Sequence, residues 1–457
     1  MIFLELNSGD TAWVLIAASL VFLMTPGLAM FYGGMTRAFS TLNMMMMSFS
    51  VMGIVSVLWV LYGYGIAFGD SVGGVIGDPT GLIGLADVFR PDAAGDPVLY
   101  DDRLPAMAFV AFQCAFAIIT VALVSGALAD RLKFSAWLVF VVLWATVVYF
   151  PLAHWVFSFD GFTAETGGWI ANTIGAIDYA GGTAIHINAG TAGLVAAILI
   201  GKRIGFGKQP MRPHNMTLVM LGAGLLWFGW FGFNAGSGLA ADGAAGTVWV
   251  NTIAATGAAL VAWILTEKIR DGHYTSLGAA SGAVAGLVAI TPSCSSVSPI
   301  GAVIIGLLAG VICAMAVTLK YKLGYDDSLD VVGVHLVGGV VGTLLVGFLA
   351  TADAPAGIDG LFYGGGFDQL WRQAVGAGAA MAYSAIMTAI ICLILRAVMK
   401  TRLSPSEELS GIDVGEHAEI AYDLSNVRYA SWRGYSHTLV VPAREDSPAT
   451  SGKKEAK

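Results

Sequence analysis

Two stretches of the sequence set ionisable side chains among residues that otherwise read as membrane-spanning helix. The first is Asp178-Tyr-Ala-Gly-Gly-Thr-Ala-Ile-His186-Ile-Asn-Ala-Gly190-Thr-Ala-Gly193, and the second is Asp330-Val-Val-Gly-Val-His335-Leu-Val-Gly-Gly339-Val-Val-Gly342. Each runs acid, then His, then Gly four and seven residues later. On an α-helix those offsets lie at about 40° and −20° from the His direction, so each imidazole shares a face with two glycines that allow close approach. Ionisable groups inside a span are costly and mark conduction or proton paths. Two imidazoles that meet can share one proton, one ring donating and the other accepting, and so offer both a donor and an acceptor to a passing solute. Burial disfavours the charged form of such rings. The acids sit just ahead of the apolar runs, where a carboxylate caps the first backbone N–H groups and meets the positive end of the helix dipole. That capping role is the expectation for Asp178 and for Asp330, with an indirect electrostatic pull on cations.

The elements that must carry these stretches follow from composition. The chain has 457 residues, 56% hydrophobic and only 12% charged, with 59 glycines, and a mean hydropathy of +0.75. These values exclude an ordinary soluble domain and define an all-α polytopic membrane protein. A net charge of −8 gives no basic footprint for nucleic acid. The four cysteines, Cys114, Cys294, Cys313 and Cys392, form no C-x-x-C pair, so neither a disulfide framework nor a zinc site is expected. No Walker loop, H-E-x-x-H or G-x-S-x-G element is present, which argues against an enzyme, and no cofactor is expected. The acidic start, with Glu5 and Asp10, has no basic region before the first apolar run and does not read as a cleavable signal.

Apolar segments of spanning length lie at about 11–34, 42–68, 105–128, 134–156, 180–201, 216–239, 247–266, 275–291, 299–319, 331–350 and 370–398. Eleven transmembrane helices are expected, with the weakest boundaries between 275 and 319. The basic residues test that number, because a missed span would flip every later loop. Eleven of them, from Arg37 through Arg131, Lys202, Arg203 and Lys268 to Lys322, fall in alternate loops. The intervening loops hold only Arg90, Arg103 and Arg372. The pattern predicts an outside N-terminus and a cytoplasmic C-terminus. His186 then falls in the fifth span and His335 in the tenth, 149 residues apart. Five is odd, so two five-helix halves, about 11–201 and 216–350, would enter the membrane in opposite senses as an inverted repeat, with a site near the midplane and a long eleventh helix outside it. Residues 1–398 are expected to form the eleven-span membrane domain and 399–457 a cytoplasmic tail, polar and disordered in its distal part.

Aromatic residues recur at helical spacing in two of these spans. Phe112 and Phe116 share one face of the third, and Trp230, Phe233 and Ser237 share another on the sixth. Aromatic faces attract a small cation by roughly 0.5–2 kcal/mol, and a serine hydroxyl accepts a hydrogen bond from a cationic N–H donor. Together with Thr25-Pro-Gly-Leu-Ala-Met-Phe-Tyr-Gly-Gly34, Phe112-Gln-Cys-Ala-Phe116, Ile200-Gly-Lys-Arg-Ile-Gly-Phe-Gly207 and Trp230-Phe-Gly-Phe-Asn-Ala-Gly-Ser237, the two His stretches resemble the ammonium transporter family (Amt/Mep, with the Rhesus proteins as distant relatives) over nearly the whole chain to about Tyr422.

That resemblance implies a homotrimer in a cytoplasmic membrane, surrounded by lipid, each subunit having its own narrow pore for ammonium or ammonia, with methylammonium as an analogue. It further implies an external recruitment vestibule and Phe gate at Phe112, Phe116, Phe157, Trp230, Phe233 and Ser237, and a twin-histidine constriction at His186 and His335. The tail from Pro405 to Tyr422 resembles the family's regulatory region, and a trimeric PII-type signalling protein is the implied cytoplasmic partner. One position departs: the family usually has Trp where this chain has Phe157, and Trp155 lies two residues away, about 200° around a helix. Weaker or differently selective external binding is expected. The alternative function is an ammonium sensor on the same fold that conducts little; the chain carries no appended kinase or cyclase domain.

Overall fold

The computed structural model describes residues 6–91 and 95–422. Its core helices are α1 (Ser8–Met35), α2 (Ala38–Phe68), α3 (Ala106–Leu128), α4 (Phe134–Phe157), α5 (Gly182–Ile200), α6 (Met216–Gly238), α7 (Gly243–Asp271), α8 (Ser276–Ile290), α9 (Pro299–Leu323), α10 (Val332–Leu349) and α11 (Asp368–Val398). Ten of these are long and apolar enough to cross a membrane. The exception is α8, with 15 residues, or about 22 Å of helix against a hydrocarbon thickness of about 30 Å. It can be short because nearly all of it is buried, and the buried turn Thr291–Val297 continues its path. Backbone groups in that turn are met by protein: Asn251 Nδ2 donates to Cys294 O and Val297 O, each at 2.9 Å. Irregular backbone at membrane depth is tolerated where protein surrounds it.

Small residues set the helix contacts. Gly222 of α6 lies so close to Phe31 N of α1, and Gly306 of α9 to Ala255 O of α7, that a Cβ at either would collide with backbone. Without a hydrophobic drive between helices in lipid, such close approach supplies the packing. The α5 and α10 contact is reciprocal. A Cβ on Gly190 would strike the backbone N of Leu336, beside His335, and one on Gly339 would lie 3.1 Å from the Cβ of His186. Each glycine four residues after a histidine therefore seats the other histidine's helix. The glycines at the seventh position pack elsewhere, Gly193 on Ala127 and Val331, and Gly342 on Ala289.

Both helices open on π turns, Gly182–Ile187 and Val332–Leu336, and each contains its histidine. The wider turn, seen in His186 N donating to Gly181 O at 3.0 Å, was not visible in an α-helical reading of the spacing.

At the end of the bundle that holds the basic loops, here called the inner end, buried charges tie the turns together. Arg203 grips Asp326 through Nη2 to Oδ1 at 2.8 Å and Nε to Oδ2 at 3.0 Å, and reaches Asp130 Oδ2 at 3.3 Å. Burial pushes the Asp326 carboxyl up, but the Arg203 hydrogen bonds and charge outweigh it and hold the group below its ordinary value. The segment after α11 docks here too. In α13, which follows α12 (Pro405–Ser410) and spans Ile412–His417, Asp413 accepts from Leu42 N at 3.0 Å and Asn43 N at 2.8 Å, and Glu416 from Phe134 N at 3.1 Å. It thus caps the starts of α2 and α4. Met1–Ala421 makes one unit and Tyr422–Lys457 a second; the distal tail, expected to be disordered, lies outside the described residues.

Asp326→Ala leaves Arg203 buried against fewer charges, and removing one partner of a buried pair costs about 3–5 kcal/mol. A large drop in the thermal unfolding midpoint of the detergent-purified protein is expected. Because the Asp326 pKa is depressed in the fold, its stabilisation is complete above the ordinary carboxylate range and is lost as pH falls from that range through the lower folded value. Unfolding midpoints measured from pH 7 down to pH 3 should therefore fall less in the variant than in the parent.

Candidate functional site

From the outer end inward, the first feature is a cavity of about 60 Å³, lined by Phe116, Phe157, Ser237 and also Gln113, Phe162 and Tyr179. Ser237 Oγ donates to Phe233 O at 2.8 Å, which leaves its lone pairs for an incoming donor. Gln113 Oε1 and Tyr179 Oη are buried and accept nothing from the described residues. Neither was expected from the sequence, although Gln113 sits inside the quoted Phe112–Phe116 motif; a polar residue between two aromatics was the available signal. Phe157 stands edge-on to Phe116, centroids 6.4 Å apart at 87°. Trp155 turns away as its position implies, packing on Trp169 and Tyr383 and donating to Val75 O at 2.8 Å.

Below the cavity Phe116 and Phe233 stack at 4.3 Å with 7° between planes and close the way. Phe112 lies behind them, fully buried and 4.7 Å from Phe116, so it backs the gate and faces neither cavity. Trp230 belongs lower still. It stacks on His186 at 5.4 Å and 22°, and its indole N–H donates to Thr291 Oγ1 at 2.8 Å. One helical turn separates it from Phe233, which moves it from the expected vestibule to the histidines.

Beneath the gate a narrow lumen of about 10 Å³ runs between Met24, Leu28, Ile119, Leu226, Trp230 and the two histidines. His186 and His335 meet through Nδ1 to Nδ1 at 3.3 Å, with ring centroids 5.3 Å apart. One ring must donate and the other accept. The donating neutral ring then carries a bare Nε2, and the accepting ring carries Nε2–H. His186 Nε2 has no hydrogen-bond partner among the described residues. Moving the shared proton exchanges the two roles.

The acids divide differently from expectation. Asp178 accepts from four backbone N–H groups, Gly181 at 2.8 Å, Gly182 at 2.6 Å, Thr183 at 2.7 Å and Ala184 at 3.0 Å, and so caps α5. Asp330 does not cap α10. That role falls to Asp327, whose carboxylate takes Val331 N at 3.1 Å and Val332 N at 2.7 Å. The reason is spacing: Asp178 precedes its histidine by eight residues, as Asp327 does, whereas Asp330 precedes His335 by five. Asp330 has a left-handed backbone, φ +64°, and pairs with Lys320 at 2.6 Å.

Residues 12–422 match the family model described as Ammonium Transporter Family. The chain belongs to the ammonium transporter family. It is 61% identical to an ammonium transporter of Mycobacterium tuberculosis over 434 residues, covering 92% of this chain and 91% of that protein. To the ammonium transporter of Bacillus subtilis it is 44% identical, covering 92% of this chain and all of that one. Among solved structures it is similar to a sensor Amt protein, at TM-score 0.80 and 30% identity over 90% of this chain and 98% of that one. It is also similar to Candida albicans Mep2, at TM-score 0.79 and 32% identity over 88% of each. As a member of this transport family it is a multi-pass membrane protein.

Phe157 has a π face but no N–H donor, and indole attracts a cation more strongly than benzene does. Phe157→Trp is expected to lower the half-saturating external ammonium by about 2- to 10-fold and to change the ammonium to methylammonium ratio. Unchanged values for both in competition uptake assays would remove Phe157 from the recruitment surface.

Proposed function

We propose that the protein takes up ammonium across the cytoplasmic membrane by binding the ion in the outer aromatic cavity, removing its proton, and passing ammonia through the lumen while the proton crosses separately along the histidine pair. The observation that carries this reading is the 3.3 Å imidazole pair in an apolar lumen behind a stacked phenyl gate. A bare ion there costs several kcal/mol or more, and a neutral amine does not incur that cost. The aromatic faces and the free oxygens of Ser237, Gln113 and Tyr179 replace water around ammonium before the gate. Past it, Nε2 of one ring accepts an ammonia N–H and Nε2–H of the other donates to its lone pair. Gly190 and Gly339 hold the rings in reach.

Several parts of the reading rest on family likeness and loop charge. The N-terminus is placed outside and the C-terminus in the cytoplasm. Three subunits assemble, each with its own pore, the two five-helix halves are inverted repeats, and a PII-type protein acts at the inner end. The docked segment Pro405–His417 is the proposed regulatory contact, because it caps α2 and α4 directly. The similarity to a sensor Amt protein supports a second reading, in which the pore binds ammonium mainly to report it.

Uptake of labelled methylammonium by cells lacking their own ammonium transporters separates the two. Saturable uptake, reduced at least about tenfold in His186→Ala and in His335→Ala at equal membrane abundance, is expected of a transporter. No uptake above the empty host would favour the sensor.

A further inference from the structure

Aligning the two histidine stretches at their 149-residue offset places Asp178 on Asp327 and Ile177 on Asp326. The two capping aspartates therefore follow equivalent residues. In each stretch the backbone carbonyl of that preceding residue is held by a fully buried side chain from outside α5 and α10. At the inner end the holder is Arg131, in the turn between α3 and α4. Its Nη2 donates to Asp326 O at 2.5 Å and its Nε to Gly201 O at 2.8 Å, just past the end of α5. At the outer end the holder is Gln373 of α11, whose Nε2 donates to Ile177 O at 2.7 Å and to Thr343 O of α10 at 3.2 Å. Each mouth thus has one side chain that ties the start of one histidine helix to the closing part of the other.

Gln373 has no hydrogen-bonding capacity to spare. Its Oε1 accepts from Ile177 N at 2.6 Å and from Gln369 Nε2 at 2.9 Å, so together with the two Nε2 bonds both N–H groups and both lone pairs are used. Ile177 lies in an irregular stretch ahead of the Asp178 cap, and this one amide satisfies both of its backbone groups. Arg372 of the same helix takes Ile174 O at 2.7 Å. The α11 helix is itself seated on α10, because a Cβ on Gly347 would strike Leu370 Cα. It therefore carries the lead-in of α5 while resting on α10.

The close contact of α5 and α10 at Gly190 and Gly339 is a crossing about which two helices can pivot, and ties beyond it on both sides fix the angle. Thr343 lies eight residues after His335, about 12 Å along α10, and Ile177 lies nine residues before His186. A shift at Gln373 is carried along both helices to both rings. Exchange of a proton between the imidazoles requires their nitrogens to stay at hydrogen-bonding distance, whereas passage of a neutral amine requires only an open apolar lumen. We propose that Gln373 is a positioning residue for the proton path: through Ile177 and Thr343 it holds α5 and α10 at the angle that keeps His186 Nδ1 and His335 Nδ1 within reach of one proton. This rests on the transport reading above and assigns part of it to a residue on a third helix.

The test compares, on the same reconstituted preparations, the current evoked by a methylammonium jump with the uptake of labelled methylammonium at equal pH on both sides. In Gln373→Met, which keeps nearly the same length and removes the amide, the ratio of current to uptake is expected to fall about tenfold, since small misplacements of reacting groups have effects of that order or larger. In Gln369→Met, which leaves both Ile177 bonds in place, it is expected to change by less than about twofold. Gln373→Glu keeps the acceptor for Ile177 N and loses at least one donor, and its ratio is expected to fall as well; it carries the test where the methionine variant is not recovered in the membrane. An unchanged ratio at position 373 overturns the proposal. So does an equal loss of current and uptake, which a purely structural role would give, or a fall in Gln369→Met as large as that in Gln373→Met. Should the parent protein itself take up methylammonium with no current, the separate passage of the proton in the transport reading is what fails.

Discussion

The crossing of α5 and α10 is the constraint on which the rest depends. Both helices must bring a histidine to the same point: a Cβ at Gly190 would strike the backbone of Leu336, and one at Gly339 would press at 3.1 Å on the Cβ of His186. The carboxylates of Asp178 and Asp327 fix where each helix begins, and the π turns that follow set the rotation of each ring. The Arg203 cluster with Asp326 and Asp130 then anchors the turn one residue ahead of the Asp327 cap. A 3.3 Å contact between two imidazoles is thus the end point of a chain of backbone constraints that begins at both mouths.

The same arrangement sorts the path into chemically distinct stages. Oxygens and π faces lie above the Phe116 and Phe233 stack, and beneath it the lumen is lined by apolar side chains, Trp230 and the two imidazoles. The gate lies where hydration ends. An ion reaching it has exchanged water for aromatic contacts and has no comparable exchange available further in, whereas ammonia does. On the proposed reading the proton and the nitrogen separate at that boundary because their solvation requirements differ.

Much of this was legible in the sequence because it is carried by residue type at fixed intervals. The histidines, their glycines at the fourth position and the eleven helices are periodic signals, and the family motifs identify the aromatic positions. What was not legible depends on backbone geometry or on depth. Asp330 looked like the partner of Asp178 because it is the nearer acid to His335, but eight residues, not five, are needed to cap the helix that presents the ring. Trp230 shares a face with Phe233 and Ser237, yet one helical turn is about 5.4 Å, enough to cross from vestibule to lumen. Phe112 shares the face of Phe116 and still stands behind the gate. The brevity of α8 follows from burial by its neighbours, which no window of its own residues records. Tyr179 and Gln113 acquire meaning only when their oxygens are found without partners.

The central claim is that ammonium gives up its proton at the gate and that both products cross. Purified protein reconstituted on a solid-supported membrane and exposed to an ammonium jump tests it most directly. A transient inward positive current that saturates with ammonium, and that equal potassium does not elicit, is the expected result. A comparable current with potassium, or ammonia uptake with no current at all, would contradict the account.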